Sequence, residues 1–168
     1  LRIGEICALT WEDILMDEQC LYIHQTMQRI QVKDCAGKKA KIIIMPPKSD
    51  CSIRRIPIPD EVRQLLLPIQ KHDKAYLLTG TEHSYVEPRN MENRFKAVTN
   101  ECDIHDVNFH ALRHTFATRC VELGFDVKSL SEILGHARVN ITMNRYVHPS
   151  MELKKKNMNP LSELLTSK

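Results

Sequence analysis

Two phrases toward the C-terminal end carry the chain's chemistry: F-H-A-L-R-H-T-F-A-T, starting at Phe109, and L-G-H-A-R-V-N-I-T-M-N-R-Y-V-H, starting at Leu134. Together they hold His110, Arg113, His136 and Tyr146 within one short stretch. These residue types suit a phosphate. Arginine offers a planar fork of donors to two nonbridging oxygens, and histidine donates hydrogen bonds or moves protons near neutral pH. Tyrosine can attack phosphorus, although a free phenol pKa near ~10 makes it a poor nucleophile unless cations favour its ionised form. His110 and Arg113 are three residues apart and share a helix face. The plainer reading of that pair is helix packing and an ion pair with an acid. His136 follows Gly135 at the end of a short helix, where a ring can project into a groove. Tyr146 taken alone would be an ordinary packing aromatic. His114 adjoins Arg113, is expected to point elsewhere, and is assigned a supporting role.

Other chemistries are poorly supplied. Histidines 110, 114, 136 and 148 have neither an H-E-x-x-H pattern nor a cysteine pair beside them, so no metal is expected. A glycine-rich phosphate loop with a following Lys-Ser/Thr is also missing, and no nucleotide cofactor is expected. Six cysteines are scattered without C-x-x-C spacing, which reads as free thiols in a reducing cytoplasm, with Cys7 and Cys120 as small core residues. No apolar run reaches the length of a membrane span, and no export signal opens the chain. The net charge of +3 over 168 residues is mild. Its distribution says more, because Lys38, Lys39, Arg54 and Arg55 make the loops and hairpins of the first half basic, which reads either as a solvated face or, with Arg138, as candidates for contact with a nucleic-acid backbone.

These groups need a frame. Periodicity predicts helices over Arg2 to Leu9, Pro59 to Ile69 (burying Val62, Leu65, Leu66 and Ile69) and Pro88 to Val98 (with Met91, Phe95 and Val98 inward). Further helices are expected over Phe109 to Leu123, capped by Asn108, then Val127 to Leu134 and Ile141 to Val147. Glycines 124 and 135 should stop two of them. Gln19 to Gln31 and Ala40 to Met45 read as strands around a loop at 33–38, and Ser52 to Pro57 as a third strand. The fold class expected is mixed α+β, mainly helical, with a small three-stranded antiparallel sheet. One domain fits the length.

The ordered set Leu1-Arg2-Ile3-Gly4-Glu5-Ile6-Cys7-Ala8-Leu9, Pro47-Lys48-Ser49-Asp50, His110-Ala111-Leu112-Arg113-His114, Leu134-Gly135-His136 and Tyr146-Val147-His148 resembles the catalytic domain of the tyrosine recombinases, the phage integrase family. The likeness is greatest to integrases of prophages and conjugative transposons. It implies six catalytic positions: Arg2 and Arg113 clamping the phosphate, Lys48 as general acid, His110 assisting proton transfer or supporting the pocket, His136 donating to phosphate, and Tyr146 as nucleophile. It implies a single catalytic domain over 1–168, truncated on its N-terminal side, with a C-terminal tail at about 154–168.

The partners so implied are double-stranded DNA attachment sites and further copies of the protein, as a tetrameric synapse on DNA. The apolar face of Leu161, Leu164 and Leu165 would pack onto a neighbouring protomer or back onto its own domain. The resemblance also implies action in the bacterial cytoplasm, on the nucleoid. Two alternatives stay open at this point: a type IB topoisomerase-like strand transferase, and a catalytically idle DNA-binding fragment of the same fold.

Overall fold

The computed structural model describes residues 1–34 and 37–147, with 151, 154, 155, 158 and 159 beyond them. Side chains 33–39 and the expected tail contact through Leu161, Leu164 and Leu165 lie outside the described residues. The fold is mixed α+β and mainly helical, with a three-stranded antiparallel sheet. Helix α1 spans Ile3–Ala8, and the Thr10–Asp13 capping box then opens a 3-10 turn.

The three-stranded sheet is not assembled from the segments expected. Gln19 to Gln31 is two strands, β2 (Cys20–Ile23) and β3 (Thr26–Asp34). The chain changes partner between them, where His24 is held by Asp13 at 2.7 Å instead of by a strand neighbour. Strand β2 sits between β1 (Ile14–Leu15) and β5 (Arg54–Pro57). Strand β3 pairs with β4 (Gly37–Met45) in a separate ribbon, in register from Thr26↔Met45 to Asp34↔Gly37. Strand pairing therefore runs through most of the segment expected to be a loop. Ile42 and Ile44 pack this ribbon onto the Cys7–Ala8–Met27 core.

Helix α1 lies against β3, and Gly4 makes that contact possible. A Cβ there would stand 2.6 Å from both the Met27 carbonyl oxygen and the Thr26 hydroxyl. Helix α2 covers Asp60–Leu66, and the 3-10 turn Leu67–Ile69 extends it. Its expected core is instead largely outward: Val62, Leu65 and Ile69 are all exposed, and only Leu66 packs, beside the Trp11–Ile58 cluster. On α3 (Pro88–Glu101), Phe95 meets Phe109 edge-on and Met91 joins the Cys7 core, while Val98 stays exposed.

The last three helices, α4 (His110–Glu122), α5 (Val127–Leu134) and α6 (Val139–Tyr146), enclose a core of Ala117, Cys120, Leu130, Leu134 and Tyr146. Helix α4 has Phe109 at its N-cap position, with no side-chain cap, so Asn108 contributes only its carbonyl. Helix α5 is capped by the Asp126 side chain and stopped by Gly135 at φ 66°. Cys7 and Cys120 are buried as expected, and Cys7, Cys20, Cys51, Cys102 and Cys120 are free. No helix among the described residues is long and apolar enough to cross a membrane.

Candidate active site

The end of α5 organises the site. A helix leaves its last carbonyls without intrahelical donors and carries partial negative charge there. Three successive carbonyls at this end each receive an arginine. Arg54 Nε donates to Ile133 O at 2.7 Å, Arg113 Nη2 donates to Leu134 O, and Arg2 Nη2 donates to Gly135 O at 3.0 Å. Residues distant in sequence are thereby brought to one point.

Glu5 is the counter-ion of the cluster. Its carboxylate, 3% exposed, accepts from Arg54 Nη1 at 3.1 Å and Nη2 at 2.9 Å, and from Arg2 Nη1 at 2.8 Å. Burial works against the ionised carboxylate, but hydrogen bonds and charge from Arg54, with Arg2, hold it at about 2. Three guanidiniums around one carboxylate leave a surplus of positive charge. Arg113 Nη1 is buried and has no hydrogen-bond partner among the described residues. Burial, followed by the charge of Arg2, brings Arg113 down to about 10, so it stays cationic at neutral pH.

His136 leaves the α5 terminus with its backbone N–H on Ser131 O. Its Nδ1 lies 2.8 Å from the hydroxyl of fully buried Thr142, on α6. Burial, with Arg113, Arg2, Arg145 and Arg54, pushes His136 down to about 4, leaving a neutral ring at pH 7. Tyr146 ends the same helix, 7% exposed, with its hydroxyl 3.0 Å from His114 Nδ1. The His110 ring stands edge-on to His114, with centroids 4.6 Å apart. Burial, and then the charges of His114 and Arg113, lower the His110 pKa.

Arg2, His110, Arg113, His136 and Tyr146 thus share one neighbourhood. Lys48 stands exposed on the bend after β4, outside this hydrogen-bonded set. Its bend is tied to the cluster through Ser52, which meets Ser49 at 3.0 Å and Arg2 Nη1 at 3.5 Å. Among the backbone candidates, Arg55 and Arg138 are exposed, Arg55 being paired with Glu18. Arg54 is turned inward onto Glu5 and braces the site rather than facing outward. The side chains of Lys38 and Lys39 lie outside the described residues. Among those residues, no group of three or more His, Cys, Asp or Glu is placed to hold a metal ion.

Glu5, Thr142 and the contact of His114 with Tyr146 join the site without having been expected from the sequence. One signal was present: His110 and His114 are four apart, so they share a helix face as surely as His110 and Arg113 do. Glu5 likewise lies three residues from Arg2, its local partner, whereas its pairing with Arg54 and that of Thr142 with His136 are set by tertiary packing.

A family model described as the phage integrase family matches residues 1–152. The tyrosine recombinase XerC-like protein of Caldanaerobacter subterraneus subsp. tengcongensis is 29% identical, over 98% of this chain and 46% of its own length. Transposase A from transposon Tn554 of Staphylococcus aureus is 30% identical, over 97% of this chain and 44% of its own. Among solved structures, the Tn1549 transposon integrase (residues 82–397) in complex with circular intermediate DNA superposes with a TM-score of 0.74. Its identity is 24%, covering 96% of this chain and 56% of that one. The chain spans under half the length of these curated relatives.

Proposed function

The chain belongs to the phage integrase family, and we propose that it is the catalytic domain of a site-specific DNA recombinase acting through a 3′-phosphotyrosyl intermediate. The observation that carries this reading is the Tyr146 phenol, set in the same neighbourhood as Arg2 and Arg113, with Arg113 Nη1 buried and unpartnered. A buried donor without an acceptor costs free energy that a bound anion would recover.

Tyr146 attacks a scissile DNA phosphate, the 5′-oxygen leaves, and a 3′ phosphotyrosyl bond remains. Arg2 and Arg113 stabilise charge on the nonbridging oxygens, an effect worth ~10²–10³-fold for one such donor. His136, neutral and fixed through Nδ1 by Thr142, donates from Nε2. Lys48 protonates the leaving oxygen from its exposed bend, and His110 supports the pocket. A 5′-hydroxyl from a partner strand reverses the step and completes exchange. The covalent bond conserves the diester's free energy, so the cycle calls for neither nucleotide nor metal.

Exposed Arg55 and Arg138, with Lys38 and Lys39 on the ribbon, position the DNA backbone rather than read sequence. The partners are attachment-site duplexes and further copies of the protein in a tetrameric synapse, within the bacterial cytoplasm. An apolar groove of about 500 Å³, lined by residues including Val62, Phe116, Phe125 and Ile133, would take the apolar residues Leu161, Leu164 and Leu165 from a neighbouring copy. A nicked suicide duplex bearing a candidate attachment site tests the reading: the protein should form a covalent band that Tyr146→Phe abolishes. A band that survives Tyr146→Phe, or no band on a genuine site, refutes it.

A further inference from the structure

The nucleophile's proton needs a destination. The Tyr146 hydroxyl lies 3.0 Å from His114 Nδ1, within the range in which a base can take a proton directly. The phenol ring is fixed among Ala117, Cys120, Leu130 and Leu134, so its hydroxyl end is held against α4. The two rings are tilted by 53° with centroids 5.6 Å apart. Behind His114, the His110 ring meets it edge-on at 86°, restricting how the imidazole can turn.

We propose that His114 is the general base of the cleavage step, accepting the Tyr146 phenolic proton at Nδ1, and that His110 is a positioning residue acting through it. This rests on the reading above that Tyr146 is the nucleophile. As the Tyr146 O–H bond breaks, its proton forms the new bond on His114 Nδ1. The electron pair left on oxygen forms the O–P bond. The P–O5′ bond breaks, its pair goes to the 5′-oxygen, and that oxygen takes a proton from the acid, Lys48. In the rejoining step His114 returns its proton to the leaving phenolate, and the incoming 5′-hydroxyl restores the acid. Nothing is oxidised or reduced.

The other histidines are less suited. His136 has its Nδ1 committed to Thr142 and is held neutral by burial and then by four arginines. His110 is also disfavoured as a cation, by burial and by His114, Arg113, Arg145 and Arg2. The titratable groups that meet His114 are His110 on its own helix and Tyr146 on α6, and the cations Arg113, Arg145 and Arg2 act on neighbouring His110. The assignment also fixes a tautomer. To accept at Nδ1, neutral His114 must carry its proton on Nε2.

Two measurements on the 168-residue protein test this. In two-bond 1H–15N spectra of histidine-labelled protein, His114 should show protonated Nε2 and bare Nδ1, and the Nδ1 resonance should move in Tyr146→Phe. A proton resident on Nδ1 overturns the proposal. In single-turnover cleavage of the suicide duplex, His114→Asn keeps a polar group near the phenol but cannot take its proton. Its rate should fall ~10²–10⁴-fold at pH 7 with DNA affinity unchanged, and the deficit should shrink as pH rises toward phenol ionisation. A rate within twofold of the parent, or a deficit equal at every pH, overturns the base role. Failure of the nucleophile reading looks different: the parent and Tyr146→Phe would then behave alike, both with adduct or both without.

Discussion

Glu5 and Arg54 form a two-pronged ion pair inside the protein, with Oε1 and Oε2 at 3.1 and 2.9 Å from the two terminal nitrogens. The pair ties α1 to β5, and because the same carboxylate holds Arg2, it sets the direction of the Arg2 guanidinium. Removing one partner of a buried pair leaves the other charge uncompensated. Glu5→Gln should therefore cost about 3–5 kcal/mol, read by denaturant unfolding. The linkage has a definite sign. Glu5 is held at about 2, below its unfolded value of ~4.3, so its contribution is full above the unfolded pKa and is lost as pH falls through the folded one. An acid-destabilisation step below about pH 4 should be present in the parent protein and missing in Glu5→Gln.

Gly4 sets how closely α1 approaches β3. With 2.6 Å between an added Cβ and the Met27 carbonyl oxygen, Gly4→Ala must push helix and strand apart. Thermal unfolding should show a loss of ~1–3 kcal/mol, the usual cost of overpacking. Cleavage should fall further than stability explains, because Arg2 moves with α1.

Thr142 holds His136 by one hydrogen bond. Thr142→Val keeps the shape and removes the hydroxyl, leaving Nδ1 free to carry the proton. Losing a bond worth ~1 kcal/mol, and with it the uniform Nε2–H donor, should slow cleavage about fivefold at unchanged DNA affinity. Single-turnover rates and binding isotherms on the same duplex separate the two effects.

His136 should titrate near 4 in an NMR series. Its unfolded value is ~6.5, so between the two the unfolded chain binds the extra proton and native stability drops as pH falls. Above pH ~6.5 this group contributes no pH dependence, and any neutral-range limb in the cleavage profile belongs to another residue.

The helices around the site were legible because Leu130 and Leu134 recur at helical spacing and Gly135 stops α5 where a left-handed residue is needed. The six candidate positions came from ordered motifs, and the fold brings five of them, all but Lys48, into one neighbourhood. Partner choice was not. Nothing in Gln19 to Gln31 announces that the chain leaves β5 for β4 at His24, because alternation reports which face is apolar and is silent on the neighbouring strand. Arg54 looked like Arg55 from composition, yet sheet alternation sends one to Glu5 and the other to the surface. Val62, Leu65 and Ile69 had a helical period without a surface to cover them. His114 adjoins Arg113 in sequence, but its spacing from His110 puts it on the His110 face of α4, where it meets Tyr146.

On the proposed mechanism, Tyr146 becomes covalently joined to DNA. The most direct measurement is to trap the adduct on a nicked suicide duplex, digest protein and DNA, and locate the nucleotide remnant by mass spectrometry. The remnant is expected on the tryptic peptide running from Tyr146 to Lys154, attached at Tyr146 through a 3′-phosphate, and absent in Tyr146→Phe. A remnant on any other residue, or an adduct that persists in Tyr146→Phe, would contradict the account.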